Sequence, residues 1–422
     1  MTILSGCIAD DSTGGTDVAL MLAQNGMDVV QILGAPRGGC PEADAIVISL
    51  KTRTIPAATA SDLSVAAARY LLDCGAGQLL FKYCSTFDST DRGNIGPVAS
   101  SLLDLVGSDF TIFCPAFPAN GRTVRDGYLF VEGRPLSETS MRHHPLTPMR
   151  DSNLVRVLER QSARGAVGLI PLAVVEEGAE AVRRRSDELR RRGHAFAIVD
   201  AVTDDDLMTI GSAFADLPLI TGSSGMARGL PENFRRAGRL PPRRPRRVLP
   251  AVGGPVAILA GSCSETTLGQ VDAARSRFPV VALKPLEVSG HPSRLEDVRD
   301  QALEAMKHSG AVLVTSSAPP AEVREVQEAL GAGPAGELIE EAMARLAFEL
   351  VGAGVRKLIV AGGETSGAIA EALEIRQLRI GPEIDPGVPW TIRVEDPEML
   401  IALKSGNFGS PDFFRKAVEM VA

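Results

Sequence analysis

Short β-rich runs ending in Gly, Ser or Asp alternate with amphipathic helical stretches along the whole chain, and this rhythm constrains the fold more than any other feature. Such alternation predicts an α/β architecture in which largely parallel sheets are flanked by helices. Strands are expected near residues 3–9, 28–33, 45–50, 78–84, 111–117, 167–172, 196–202 and 217–221. A second series is expected near 256–260, 280–283, 311–315, 357–361 and 400–403. One interruption stands out: Tyr128-Leu129-Phe130-Val131, then Glu132-Gly133-Arg134, then Pro135-Leu136, which predicts a hairpin turning on Glu132-Gly133.

A chain of 422 residues exceeds what one core usually supports, so two domains are expected. Arg235, Arg236, Arg239, Arg243, Arg244, Arg246 and Arg247 lie among Pro241, Pro242, Pro245 and Pro250, a composition that continues neither a helix nor a central strand. We therefore expect a domain over 1–240, an Arg/Pro-rich linker over 241–250 and a second domain over 251–422. The arginines read as a solvated connector rather than a polyanion patch.

A formal net charge of -8 argues against a dedicated nucleic-acid binder, which needs a basic surface to neutralise phosphates. The apolar run over 166–175 is interrupted by Gly168 and Pro171 and falls far short of the ~20 residues of a membrane helix, so no membrane partner is expected. The first residues lack a basic stretch followed by an apolar one, which predicts a chain that stays in the cytoplasm. Cys7, Cys74, Cys84, Cys114 and Cys263 sit in or beside apolar runs with no CxxC pair, and read as reduced, partly buried thiols.

In the second half, three segments run from an apolar strand into a loop of small residues that opens a helix. They are Gly261-Ser262-Cys263-Ser264, Gly362-Gly363-Glu364-Thr365-Ser366-Gly367 and Lys404-Ser405-Gly406-Asn407. Backbone N–H groups at such turns bind phosphate oxygens, and parallel sheets gather these turns at their carboxyl edge. Ser262, Ser264, Gly362, Gly363, Thr365, Gly406 and Asn407 are thus candidate nucleotide contacts, with Lys404 as a mobile positive charge and Glu364 as an acid for a metal ion or a ribose hydroxyl. The chain has no GxxxxGK[ST]. Its GxGxxG string at Gly331, Gly333 and Gly336 lies between two helical stretches and reads as a helix connector, which disfavours a nicotinamide-dependent dehydrogenase.

In the first half, Asp10 and Asp11 follow the first strand and open a helix, where a carboxylate can orient a hydroxyl attacking a γ-phosphate. Arg53, Lys82, Ser85, Asp88, Asn120 and Arg122 stand at other strand ends, and such cations beside hydroxyls suit a small carboxylated, hydroxylated ligand. His143 and His144 have no acidic or cysteine partners at ligand spacing and read as loop residues, so no metal ligands are assigned.

Several of these segments resemble the four-carbon acid sugar kinases, and within that family look most like its 3-oxo-tetronate 4-kinases. They include Ile8-Ala9-Asp10-Asp11 with Thr13-Gly14 and Asp17, and Leu50-Lys51-Thr52-Arg53. They also include the run from Lys82 to Gly93-Asn94-Ile95-Gly96-Pro97, Cys114-Pro115-Ala116-Phe117-Pro118, and the three loops of the second half. The resemblance implies an N-terminal domain for the sugar acid and a C-terminal domain for ATP, with Mg2+ bridging its phosphates. It also implies transfer to the terminal hydroxyl of a C4 acid. Within the family, D-erythronate, D-threonate and L-threonate are the alternative acceptors. A non-catalytic sugar-acid sensor is the alternative of another class. Ser12 and Gly15 depart from the family's usual bulky apolar residue and alanine, as do Glu383 and Asp385 from the expected sequence. Whether the chain forms a homo-oligomer is left open.

Overall fold

The structure, a computed structural model, describes residues 3–87, 90–143, 147–242, 248–291 and 293–422. It divides into two compact units, Met1–Pro245 and Arg246–Ala422. Within the Arg/Pro-rich stretch, residues 243–247 lie outside the described residues. The start of that stretch is not a connector: Arg235 and Arg236 close the helix Leu230–Arg236, where both reach Glu232, and Leu240 is buried. The helix stops at Arg236, and a turn over 237–240 leads to Pro241 and Pro242.

The N-terminal unit carries β1 (Ser5–Ala9), β2 (Val29–Leu33), β3 (Ala45–Ser49), β4 (Gln78–Lys82), β5 (Thr111–Cys114) and β6 (Arg122–Arg125). It continues with β7 (Tyr128–Val131), β8 (Arg134–Pro135), β9 (Val167–Ile170), β10 (Phe196–Val199) and β11 (Leu219–Gly222). Their main sheet runs in the order β2-β3-β1-β4-β11-β5-β10-β9, with every neighbouring pair parallel. Every residue of β1, β3 and β4 is buried, as expected for strands covered by helices on both faces. The chain leaves β1 toward β2 and β3, then crosses to β4 on the other side. The carboxyl ends of β1 and β4 therefore flank a topological switch point, where open α/β sheets bind ligands.

The expected hairpin is present. Phe130 pairs with Pro135 and Val131 with Arg134, while Glu132 and Gly133 hold φ of 51° and 76°, the two left-handed residues of a tight two-residue turn. Its other neighbour, β6, was not expected; it pairs antiparallel with β7 over Arg122–Arg125.

The C-terminal unit carries β12 (Val256–Ala260), β13 (Val280–Ala282), β14 (Ala311–Thr315), β15 (Lys357–Ala361), β16 (Gln377–Asp385), β17 (Val388–Arg393) and β18 (Leu400–Lys404). Its order is β13-β14-β12-β15-β18-β17-β16, parallel from β13 to β18 and antiparallel beyond. The antiparallel pair β16 and β17 was missed, because Gly381-Pro382, Pro386-Gly387 and Pro389 read as breakers. The structure absorbs them as register shifts between Ile380 and Glu383 and between Glu383 and Asp385. The core beneath this sheet centres on Trp390, whose Nε1 donates to the Ala417 carbonyl at 3.0 Å. The GxGxxG string is a helix junction: Gly331, at φ 88°, separates the helix Pro320–Leu330 from Ala332–Gly352.

One cysteine expectation is overturned. Cys74 is not a free thiol but is disulfide-bonded to Cys40, with Cα atoms 5.6 Å apart. Cys74 closes the helix Ala57–Asp73, and Cys40 comes from the loop after β2, a spatial pairing that a separation of 34 residues hides in the sequence. Cys7, Cys84, Cys114 and Cys263 are not disulfide-bonded. No helix among the described residues is long and apolar enough to cross a membrane.

Candidate active site

In the N-terminal unit the register of β1 against β4 sets Ala9 opposite Lys82, so Asp10 and Asp11 emerge beside the Lys82 side chain. The next turn is fixed by capping: Asp11 Oδ1 accepts from the Gly14 N–H at 3.1 Å and starts the helix Ser12–Gln24. Arg53 reaches the pair from the loop after β3, whose Thr52 and Arg53 N–H groups donate to the Asp10 carbonyl at 2.9 and 3.2 Å. Its guanidinium forks onto Asp10, Nε to Oδ2 at 3.0 Å and Nη2 to Oδ1 at 2.8 Å, and Nη2 also meets Asp11 Oδ1 at 2.6 Å. Lys82 Nζ completes the cluster at 3.4 Å from Asp11 Oδ1.

Two carboxylates and two cations thus balance in a largely buried setting; Asp10 and Lys82 are each 4% exposed. Burial pushes the Asp10 carboxyl up, only partly offset by Arg53. Burial also works against the charge on Asp11, but Lys82 and then Arg53 outweigh it and hold that carboxyl down at about 2. The three donors to Asp11 all converge on Oδ1, and no described residue bonds to its Oδ2. Gly14 permits this crowding, since a Cβ there would lie 1.6 Å from Lys82 Nζ and 2.3 Å from Asp11 Oδ1. Arg53 and Lys82 were expected to hold a ligand carboxylate; in the structure both are committed to the protein's own acids.

Ser85 lies in the turn after β4, closed by Phe87 N–H donating to the Cys84 carbonyl at 2.9 Å. Phe87 holds a left-handed backbone, φ 55°, while its buried ring packs edge-on to Tyr83 at 5.4 Å. Strain of this kind persists only where packing over-determines it. Asp88 lies outside the described residues. Asn120 ends the short turn after β5 and Arg122 opens β6, with Arg122 Nη1 donating to the Asn120 carbonyl. Among the described residues no hydrogen bond or ion pair joins them to the Asp10–Asp11 cluster.

In the C-terminal unit β12, β15 and β18 lie side by side and in register, Ala260 opposite Ala361 and Ala361 opposite Lys404, so their three glycine-serine loops leave one sheet edge together. The edge between β12 and β15 is this sheet's own switch point. Gly261 and Ser262 N–H donate to the Ala361 carbonyl, and Gly362 N–H donates to Lys404 O at 2.9 Å. Ser264 Oγ donates to Gly406 O at 2.7 Å while accepting from Thr267 N–H, capping the helix Glu265–Ala274. A Cβ on Gly261 would meet Thr365 Oγ1 at 2.2 Å and one on Gly406 would meet Ser262 Oγ at 2.3 Å, so only glycine lets these loops approach. Glu364 and Asn407 face solvent at the rim.

Lys404 is not the mobile charge expected of it. It is 2% exposed, donates to Thr267 Oγ1 at 3.2 Å, Ser405 O at 3.0 Å and Gly406 O at 3.2 Å, and burial brings its ammonium down to about 8. Three residues missed in the sequence support the same loop. Thr267 Oγ1 donates to Gly406 O at 2.9 Å; Gln270 Nε2 donates to the carbonyls of Phe408, Gly409 and Ser410, each at 3.0 Å. Asp385, held by Lys416 at 2.7 Å, accepts from both Ser410 N–H and Oγ. Thr267 alone carried a signal, standing three residues after the capping Ser264.

Among the described residues no group of three or more His, Cys, Asp or Glu side chains could hold a metal ion. The Asp10–Asp11 pair, neutralised by Arg53 and Lys82, is not a divalent-cation cage. A magnesium carried by nucleotide phosphates needs only one or two carboxylates, and Glu364 is an exposed acid in the first turn of the helix Gly363–Ala372.

Residues 5–230 match the model of a sugar-binding N-terminal domain, and residues 257–414 that of a nucleotide-binding C-terminal domain. The chain is 52% identical to a 3-oxo-tetronate kinase of Cupriavidus necator, over 99% of this chain and 97% of that one. It is 51% identical, over the same shares, to a 3-oxo-tetronate kinase of Pseudomonas fluorescens. A solved Haemophilus influenzae structure superposes at TM-score 0.88 with 40% identity, covering 99% of this chain and 100% of that one. One from Salmonella typhimurium LT2, solved under the provisional description of a tRNA synthase, reaches 0.91 with 40% identity and 98% of both chains. The chain belongs to the four-carbon acid sugar kinase family.

Proposed function

We propose that this chain is a 3-oxo-tetronate kinase, transferring the γ-phosphoryl of ATP to the terminal hydroxyl of the acid. The substrate comes from the relatives, five of which share that description at 47–52% identity over nearly the whole chain. The observation that carries the chemistry is the one-sided engagement of Asp11. Its Oδ1 is saturated by Gly14, Arg53 and Lys82, which fixes the carboxylate plane and leaves Oδ2 to accept a hydrogen bond from a substrate hydroxyl. Held ionised, Asp11 is a weak base, which suits phosphoryl transfer: the loose transition state needs the hydroxyl oriented first and its proton taken late. Asp10 does not reach for substrate in this reading; it binds Arg53, and Arg53 braces Asp11.

The C-terminal loops would hold the phosphates through the N–H groups of 263, 363–365 and 406–407, since those of Ser262, Ser264 and Gly362 are bonded within the loops, with Glu364 as a ligand for the accompanying Mg2+. When bound, that ion neutralises charge on the transferring group. Ser85, Asp88, Asn120 and Arg122 remain the candidates for the acid's hydroxyls and carboxylate. An ADP-release assay over 3-oxo-tetronate, D-erythronate, D-threonate and L-threonate tests the assignment. The reading expects the highest kcat/KM with the 3-oxo acid, and a preference for any of the others overturns the substrate while keeping the reaction class.

A further inference from the structure

We propose that Asn94 is a positioning residue for the reaction, holding the loop that carries Arg53 so that the guanidinium stays forked onto Asp10 and braced against Asp11. The proposal rests on the reading of that cluster as the hydroxyl-orienting site. Asn94 stands at the N-cap of the helix Ile95–Leu105, where an asparagine usually accepts a bond from the first turn. It makes no such bond here. Its Nδ2 instead donates to the carbonyls of Thr52 at 2.6 Å, Arg53 at 3.3 Å and Ile55 at 3.2 Å, while the residue is 6% exposed. A side chain that gives up its capping role to bind three carbonyls of a distant loop is holding that loop.

The asparagine is itself fixed from behind. Gln161 Oε1 accepts from Gly96 N–H at 3.1 Å and its Nε2 donates to Thr90 O at 2.6 Å, pinning the segment on both sides of Asn94 to the helix Leu154–Gln161. That helix is therefore tied by hydrogen bonds to the backbone on either side of Asn94, Asn94 to the 52–55 loop, and Arg53 of that loop to both carboxylates. The loop's other tether, from Thr52 and Arg53 N–H to Asp10 O, fixes its near end only. Without Asn94 the carbonyl side of the loop is released and the guanidinium loses its register with Asp10 and Asp11.

The test is a double-mutant cycle on the full chain with Asn94→Ala, Arg53→Ala and the pair. Displacing an orienting group by about 1 Å lowers kcat roughly 10- to 100-fold, and that is the loss expected for Asn94→Ala, with KM for ATP unchanged. Because Asn94 acts through Arg53, the double variant should be no slower than Arg53→Ala alone. Asn94→Asp, which keeps the shape but turns an acceptor toward three carbonyls, should be at least as slow. The acid limb of the kcat profile should move upward in Asn94→Ala, since Asp11 then faces Asp10 and Lys82 with a displaced Arg53; the Cys84 thiol lies beside both cations. Independently of activity, the Arg53 Nε–H resonance, assigned with Arg53→Lys, should be protected from solvent exchange in the parent and exposed in Asn94→Ala. Multiplicative losses in the cycle, an unchanged kcat, or variants without a cooperative melt would each make Asn94 a residue of the fold alone. A parent chain lacking acid-dependent ATP turnover removes the kinase reading, and the exchange measurement then still decides whether Asn94 holds Arg53.

Discussion

Nucleotide binding should draw a proton onto Lys404. Its ammonium sits at about 8 because burial removes it from water, while its partners are neutral oxygens of Thr267, Ser405 and Gly406. If a phosphate charge is taken at roughly 7 Å and the effective dielectric at about 20, it attracts the ammonium by about 2.4 kcal/mol, roughly a 50-fold shift in the protonation equilibrium. At pH 8 the free protein is about half protonated at this site and the complex almost fully so, giving an uptake of about 0.5 proton per nucleotide. At pH 7 the same shift takes up only about 0.1. Calorimetric titration with ATP in two buffers of different ionisation enthalpy reads this number directly, and Lys404→Met should abolish it. An uptake at pH 8 no larger than at pH 7, or one that persists in Lys404→Met, would refute the placement of phosphate beside these loops. The free protein offers a second check of the sign. Because the folded state binds the proton less tightly than the unfolded one, stability should rise between pH 8 and 10.5, by about 3 kcal/mol from this lysine.

Asp11→Asn should lower kcat about 10²- to 10⁴-fold with ATP affinity unchanged, and steady-state kinetics with a full rate would remove Asp11 from proton transfer. Since the Asp11 carboxyl is depressed to about 2, its contribution to stability is present above the unfolded carboxylate range and is lost as pH falls through that value. Gly14→Ala should still fold, because the clashes fall on the side-chain ends of Lys82 and Asp11 rather than on backbone, yet lose about tenfold or more in kcat as Lys82 and Asp11 part; thermal melts and kinetics together check both halves. Reducing the Cys40–Cys74 bridge, which closes a loop of 34 residues, should cost about 4 kcal/mol in chemical denaturation, and Cys40→Ser should erase the dependence on reductant.

The parallel strands were legible because each is an apolar run buried on both faces and punctuated by Gly, Ser or Asp. The placing of Asp10 and Asp11 and of the three glycine-serine loops at strand ends follows from that pattern, whereas the switch points depend on the order of strands within each sheet, which the sequence does not show. What stayed hidden depends on contacts between distant segments. Nothing near Arg53 in the sequence says that its fork is taken up by Asp10, nothing near Asn94 says that its amide serves residues 52–55, and Lys404 reads as a free charge until its burial is seen. The β16–β17 hairpin was lost for a different reason: prolines and glycines that terminate a central strand are tolerated at bulges and edges.

The most direct measurement is a proton-coupled phosphorus NMR time course of the full chain with ATP, Mg2+ and 3-oxo-tetronate. Loss of the γ-phosphate signal should match growth of a phosphomonoester triplet split by the two protons of the terminal carbon. Inorganic phosphate as the sole product, or ATP that persists whether or not the acid is present, would contradict a kinase built from these two sites.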